Sequence, residues 1–381
     1  MGRRFVILSA AMGAGHDTVA AELARRLSRR GHLTETIDVL DLLPVRLGTA
    51  LRGFYAATIR HAPFVYDAIY QAYFVAPPAG RGRPSRDTSP VVVPAARALR
   101  RRLAADPPDA LVSTFHLGAQ IGGRLRNEGA LRVPSVVVIT DFAVHRQWLH
   151  PGNDIHLCPT PQTAEDIRRR GGHRALAVGP VVPEAFHTPP PSARVGAFTR
   201  EFAARGPSRV PVLLSTGAWG LGSQLAETAA LLSGHGWLPV VMCGRSRALR
   251  RRLDRVPGAV ALGWVSDVPA LMAAVGVLVM NAAGQTAAQA LAAGVPVVSY
   301  RPIAGHGEHS ARGMAEAGLC AYTRSPQELL QALDDLGSDG PVRRARIDAG
   351  RALFTADAVD IVTTAAREGA PLRNQVPGGP R

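Results

Sequence analysis

Residues 4–31 read RFVILSAAMGAGHDTVAAELARRLSRRG, and the way they divide decides the fold. RFVILS is a short apolar run of strand length, AAMGAGH is a small-residue turn with glycines at 13 and 15, and DTVAAELARRLSRR repeats apolar residues at helical spacing until Gly31 stops it. A buried strand, a glycine turn and an amphipathic helix make the opening of a βαβ unit. The same N-terminus imitates a secretory leader, with two arginines, an apolar run and small residues. The apolar part is short, however, and the periodic helix that follows favours the strand.

Working outward, the alternation continues. Arg4–Ser9, Leu33–Leu40, Ala110–Ser113, Ser135–Thr140, Ile155–Cys158 and Ala175–Val178 read as strands between amphipathic segments. Gly179 to Gly196, with five prolines, breaks the pattern. It restarts at Val210–Ser215, Leu238–Cys243, Val260–Leu262, Val277–Met280 and Val295–Ser299. This predicts an α/β protein of two Rossmann-like, doubly wound parallel-sheet domains facing across a cleft. The predicted division is 1–180 for the first domain, 181–196 for a linker, 197–351 for the second domain, 352–370 for a closing helix and 371–381 for a disordered tail. The apolar stretch Val268–Tyr300 is interrupted by Asn281, Gln285, Gln289 and Gly/Pro breaks, so it reads as helix, strand, helix, strand and not as a membrane span.

At 381 residues the chain exceeds what one core fills, in line with two domains. Lys+Arg number 44 against 29 Asp+Glu, a formal charge of +15 carried by arginine. Such a field favours phosphates on nucleotides, nucleic acid or anionic membranes; a GC-rich coding bias also enriches arginine without function. Cys158, Cys243 and Cys320 are odd in number and lack CxxC spacing, which points to neither a disulfide frame nor a zinc site and fits a reducing cytoplasm. HGEH at 306–309 invites zinc, but its glycine-rich context and lack of partner ligands favour a donor-site loop.

In this frame His16 stands at the N-terminus of the first helix, facing the cleft. A helix N-terminus attracts anions and depresses a histidine's pKa, keeping the imidazole neutral and able to accept a proton. Read as a dinucleotide fingerprint the turn is poor, because the third glycine position is Thr18; Asp38 at the end of the second strand is a candidate ribose ligand on that reading. The second half carries STGAWGLGS (215–223) as another phosphate cradle, CGRS after the next strand, GWVSDVPALMAAV, and NAAGQTAAQALAAGVPVVSYRPIAGHGEHSA, all at successive strand ends.

These residues resemble the monogalactosyldiacylglycerol synthase and diacylglycerol glucosyltransferase group of family 28 glycosyltransferases, of the GT-B fold. The likeness runs from LSAAMGAGH through TDFAVHRQWLHPGND and STGAWGLG to AGQTAAQALAAGVPVV and IAGHGE. It implies an inverting, metal-independent hexosyltransferase that takes a nucleotide-sugar, a UDP-sugar, in the second domain and a lipid hydroxyl such as that of diacylglycerol in the first, with no cofactor. On this resemblance His16 is the base with Asp141 beside it. Gly13, Gly15, His145, Trp148, Phe54 and Tyr55 serve the acceptor, and Thr140 belongs to the same stretch. The donor falls to Gly217, Ala218, Gly220, Gly222, Gly244, Arg245, Trp264, Val265, Gly284, Gln285, Thr286, Gln289, His306 and Glu308. Inverting transfer needs one base opposite the leaving nucleotide and dipoles or cations for the departing diphosphate. No Asp-x-Asp motif occurs that would hold a bridging metal.

The chain departs from the family pattern where a ribose-binding glutamate is expected and Gln289 stands. It departs again at the sugar loop, where Gly305-His306-Gly307 precedes Glu308, and at Gly276 in place of an acidic residue. Residues 46–78 gather aromatics among Arg46, Arg52 and Arg60, as an element lying on an anionic bilayer does; a helical hairpin buried on its own domain has the same pattern. PAGRGRPSRDTSP beyond it reads as a mobile loop. The expected location is cytoplasmic, on the inner face of the cell membrane. Two alternatives stand beside this reading: transfer to a natural-product or polyprenyl acceptor from a different nucleotide-sugar, and a basic nucleic-acid- or membrane-binding protein without activity. No helix-turn-helix, zinc finger or aromatic RNA platform supports nucleic acid as a partner.

Overall fold

Every strand among the described residues pairs in parallel, and the strands alternate with helical segments that return over the faces of their sheet. The computed structural model describes residues 2–12, 14–61, 65, 74, 90–171, 174–215 and 224–369. In the first half the strands are β1 (Arg4–Ser9), β2 (Leu33–Asp38), β3 (Ala110–Ser113), β4 (Ser135–Val138), β5 (Ile155–Cys158) and β6 (Ala175–Ala177), in the order β2-β1-β3-β4-β5-β6. Its helices are α1 (Ala14–Arg29), α2 (Val45–His61), α3 (Val92–Ala105), α4 (His116–Asn127) and α5 (Pro161–Gly171). In the second half β7 (Pro211–Ser215), β8 (Leu238–Met242), β9 (Val260–Leu262), β10 (Val277–Met280), β11 (Val297–Tyr300) and β12 (Cys320–Thr323) order as β12-β11-β10-β7-β8-β9. Around them lie α6 (Ser192–Arg205), α7 (Leu225–Gly234), α8 (Arg247–Leu253), α9 (Val268–Ala273), α10 (Gln285–Ala293), α11 (His306–Glu316), α12 (Pro326–Gly337) and α13 (Pro341–Arg351); α14 (Ala358–Glu368) closes the described chain.

The quoted stretch folds as read. Phe5, Val6, Ile7 and Leu8 are fully buried, as a strand covered on both faces requires, and Val19, Leu23 and Leu27 form the buried stripe of α1. Each such side chain contributes about 1.5–3 kcal/mol on burial. Both sheets reverse their winding at one point, between β1 and β3 in the first and between β7 and β10 in the second. A crevice opens at the carboxyl ends of strands at such a switch point.

Several boundaries differ from the reading of the sequence. β2 stops at Asp38, whose carboxylate accepts from the Leu40 amide at 2.9 Å and caps a 3-10 turn over Val39–Leu42, and from the Ala11 amide at 3.2 Å. Asp38 thus serves backbone and not a ribose. β11 starts at Val297 because Val295 bonds back to Ala290 and Pro296 has no N–H to donate. HGEH is no loop: it opens α11. β12, CAYT, was not foreseen. Gly13, the loop 216–223 with Gly217, Ala218, Gly220 and Gly222, most of 62–89 and the tail 370–381 lie outside the described residues.

The two halves touch closely. A Cβ on Gly313 of α11 would stand 2.4 Å from the Phe142 carbonyl oxygen, so only glycine permits that approach. α14 returns to the first half, where Val359, Val362, Ala365 and Ala366 enter the core built by β1 and α1. No helix among the described residues is long and apolar enough to cross a membrane.

Candidate active site

The switch point of the first sheet is where the histidines gather. β1 leads into α1, whose third residue is His16; β3 leads through Thr114 and Phe115 into α4, which opens on His116. His16 Nδ1 lies 2.9 Å from the Thr114 carbonyl oxygen and 3.1 Å from the Thr140 hydroxyl. A carbonyl only accepts, so Nδ1 carries the proton and, in the neutral ring, Nε2 carries the free lone pair. Burial pushes the His16 pKa below its ordinary value, and His145 adds to this; Asp141, the Thr114 carbonyl and Asp17 pull the other way. The outcome is an imidazole neutral at pH 7, poised as a base.

Residues 141–150 wrap this corner. Asp141 Oδ2 accepts from the Trp148 indole at 2.8 Å and faces His145 Nε2 at 3.5 Å. Burial works to raise the Asp141 carboxyl, but the His145 hydrogen bond and the surrounding imidazoles outweigh it and hold it well below the usual carboxylate range. Trp148 is fully buried and stacks on His145 with ring centres 5.7 Å apart. The wrap is tied down from α4, where Gln120 donates to the carbonyls of Gln147 at 2.8 Å and Leu149 at 3.0 Å.

His116 is a member that the sequence reading missed. Its ring centre lies 5.3 Å from that of His145 and 6.1 Å from that of Trp148, and burial pushes its pKa well down, with His145 and His16 adding to the effect. The signal was available, since His116 repeats the pattern of His16: a histidine opening the helix that follows a central strand. From the other half, His306 at the start of α11 interacts electrostatically with Asp141, His145 and His16, so it belongs to this corner and not to the donor side alone. Among the described residues no group of three or more His, Cys, Asp or Glu side chains is arranged to hold a metal ion.

On the facing side, Gly284 caps α10, and the next residue, Gln285, meets Gly15 of α1: a Cβ on Gly15 would be 3.6 Å from the Gln285 Cβ. The N-terminal turns of α1 and α10 therefore meet, and the first-turn amides of a helix have no partner within it. Gln285 donates its amide nitrogen to the Val181 carbonyl at 3.0 Å. Thr286 and Gln289 are half-buried on the same helix. Beyond β8 and β9, Gly244 begins a turn, the Arg245 guanidinium lies 4.8 Å above the Trp264 ring, and Val265 packs on the core beneath. Trp264 is 62% exposed, an open aromatic face at the strand ends. Glu308 accepts from Arg312 at 2.6 Å and from the Tyr322 hydroxyl at 3.4 Å. Phe54 on α2 is exposed; Tyr55 follows it in that helix.

The half-buried, desolvated imidazoles predict acid sensitivity. His16, His116, His306 and His309 all have folded pKa values lowered, first by burial, while in the unfolded chain they titrate near 6.5. As pH falls through that value the unfolded state binds protons that the folded state refuses, so stability falls. Asp141 does not offset this, because its contribution is lost only below the ordinary carboxylate range. Calorimetry from pH 7 to pH 5 is expected to show a falling Tm; a flat profile contradicts the desolvation of these rings.

Two family models match the chain, "Monogalactosyldiacylglycerol (MGDG) synthase" over residues 16–181 and "Glycosyl transferases group 1" over residues 223–339. Among curated relatives, the processive diacylglycerol beta-glucosyltransferase of Bacillus subtilis (strain 168) is 24% identical over 241 residues, and the match spans 61% of this chain and 61% of that protein's length. The protein of the same name from Bacillus cereus (strain ATCC 10987 / NRS 248) is 23% identical over 399 aligned positions, 98% of this chain and 96% of that one. Among solved structures, the calicheamicin glycosyltransferase CalG4 superposes with a TM-score of 0.62 at 18% identity, over 97% of this chain and 100% of that one. Acinetobacter baumannii MurG does so with 0.57 at 15%, over 95% and 99%. The architecture is GT-B, as the sequence reading expected, and the resemblance to the diacylglycerol glycosyltransferase group holds in both halves.

Proposed function

We propose that this chain, a glycosyltransferase of family 28 kind, moves a hexose with inversion and without a metal ion from a UDP-sugar in its second domain to a lipid hydroxyl, such as that of diacylglycerol, in its first. The observation that carries the reading is His16, with Nδ1–H engaged by the Thr114 carbonyl and Nε2 left as the acceptor, at the point where the first turns of α1 and α10 meet. The steps follow from that geometry. Nε2 takes the proton of the acceptor hydroxyl as its oxygen attacks the anomeric carbon. The bond from that carbon to the diphosphate oxygen breaks on the opposite face, and the nucleotide leaves with the electron pair. Amides of the first turn of α10 face the developing negative charge, and the dipole of that helix favours it. The exposed Trp264 face under Arg245 suits a nucleobase.

The relatives named for diacylglycerol glucosylation support the lipid acceptor. On α2, Leu47 and Phe54 remain 38% and 54% exposed beside Arg46, which suits entry from an anionic membrane surface on the cytoplasmic side. The direct test supplies UDP-, GDP- and dTDP-hexoses with diacylglycerol in anionic vesicles, with and without EDTA. The expected product is a glycolipid of inverted anomeric configuration, formed from the UDP-sugar at a rate that EDTA leaves unchanged. Retention, or loss of activity with EDTA, overturns the mechanism.

Gln289 offers a sharper check on the donor. It sits one turn into α10, where a carboxylate would hold ribose hydroxyls with charge-assisted bonds, worth about 1.5–3 kcal/mol against about 1 for neutral ones. Gln289→Glu is therefore expected to tighten UDP binding several-fold in calorimetric titration. Weaker binding, or preference of both proteins for another nucleotide, rules out a UDP site of this form.

A further inference from the structure

The crossing from the first domain to the second is made by Pro180, Val181, Val182 and Pro183. Val181 is buried in the core that β1, α1 and α14 share, and Val182 in the core of the second domain. Their carbonyls go the other way round. The Val181 oxygen accepts from Gln285 Nε2 of α10 at 3.0 Å, and the Val182 oxygen accepts from Arg26 Nη2 of α1 at 2.5 Å. Each valine thus gives its side chain to one domain and its carbonyl to the opposite one, as the alternation of an extended dipeptide allows. Pro183 pushes Val182 toward that extended form, and the ring of Pro180 fixes its own φ.

The return crossing is held at the same place. A Cβ on Gly179, at φ +83°, would stand 2.4 Å from the Leu353 carbonyl oxygen, so the two crossing strands touch. Arg26 also donates through Nε to Glu22 at 2.6 Å and through Nη1 to Asp357 at 3.3 Å, joining its own helix, the outgoing linker and the start of α14. Arg30 adds Asp357 at 2.8 Å and Asp360 at 2.5 Å.

We propose that residues 181–182 are a rigid stitch and not a free hinge, and that Gln285 and Arg26 are positioning residues that fix His16 against the first turn of α10. Arg26 and His16 share one helix, about 15 Å apart along its axis. Linker, α1 and α10 therefore move as one piece, and releasing either carbonyl loosens the distance between base and donor helix. The structural part stands on these contacts alone; its consequence for catalysis rests on the transfer reaction proposed above.

The test separates the two. Cys158, Cys243 and Cys320 are buried, with thiols pushed up to about 12, about 11 and about 12 respectively, so spin labels go selectively to Glu128→Cys and Asp339→Cys, exposed sites on the two domains. The parent is expected to give one narrow interdomain distance. Gln285→Leu removes the donor with little change of volume, and Arg26→Lys keeps a cation beside the buried Glu22 but cannot span three partners. Both are expected to broaden or shift the distance, to lower kcat about ten- to a hundred-fold, and to leave the UDP Kd unchanged. An unchanged distance distribution in both variants overturns the stitch whether or not transfer is observed. Weakened UDP binding by Gln285→Leu with an unchanged distance overturns it too, and returns Gln285 to the donor site.

Discussion

His16→Ala is expected to lower the rate of the proposed transfer by about 10²- to 10⁴-fold, the range that one positioned general base contributes, and to leave UDP binding as it was. The expectation follows from the tautomer. With Nδ1–H bound to the Thr114 carbonyl, only Nε2 faces a substrate proton. The ring belongs to the first domain with its hydrogen-bond and ring partners Thr114, Thr140 and Phe115, and His306 of the second domain reaches it electrostatically, so UDP binding is expected to survive its removal. The acid limb of the kcat/KM profile should lie below pH 6.5, since burial lowers this histidine's pKa. Single-turnover transfer and calorimetric UDP titration on one preparation decide the matter. A variant that no longer binds UDP would place a nucleotide site in the first domain and remove His16 from the role of base.

The second large effect concerns Asp141, and here the choice of substitution separates two roles. Asp141→Ala leaves the indole N–H of the fully buried Trp148 without its acceptor, at a cost of about 1–3 kcal/mol. Asp141→Asn keeps an oxygen at that place and is expected to recover most of the stability. It does not restore the charge. Since Asp141 is the group that raises the His16 pKa most, its neutral replacement should move the acid limb of the rate profile to lower pH. A carboxyl held this far below neutral is itself too weak a base to take the acceptor proton, so on the proposed mechanism Asp141 tunes and orients the imidazoles. Thermal unfolding and pH–rate profiles of both variants test this. An acid limb that does not move in Asp141→Asn would show that the carboxylate does not reach His16 electrostatically.

What the sequence determined by itself was local. Strands such as Arg4–Ser9, Ala110–Ser113 and Val277–Met280 are legible because burial on both faces leaves an apolar run at their centre, and α1 because its stripe of Val19, Leu23 and Leu27 repeats at helical period and ends at Gly31. His16 at the mouth of a glycine turn followed from that division alone. The short edge strand CAYT, with half-buried Ala321 and Tyr322, carries no such run and went unread. Tertiary structure alone decided where side chains spend their hydrogen bonds. Asp38 looked like a ribose ligand and caps a turn; Gln285 looked like a donor contact and holds a linker carbonyl 104 residues away; Arg26 reaches one 156 residues away. His116 joins His145 and Trp148 only because α4 packs against the wrap at 141–150. Periodicity and turn chemistry act over a few residues and are written in neighbouring letters. A hydrogen bond between domains depends on the packing of both cores, which no local pattern encodes.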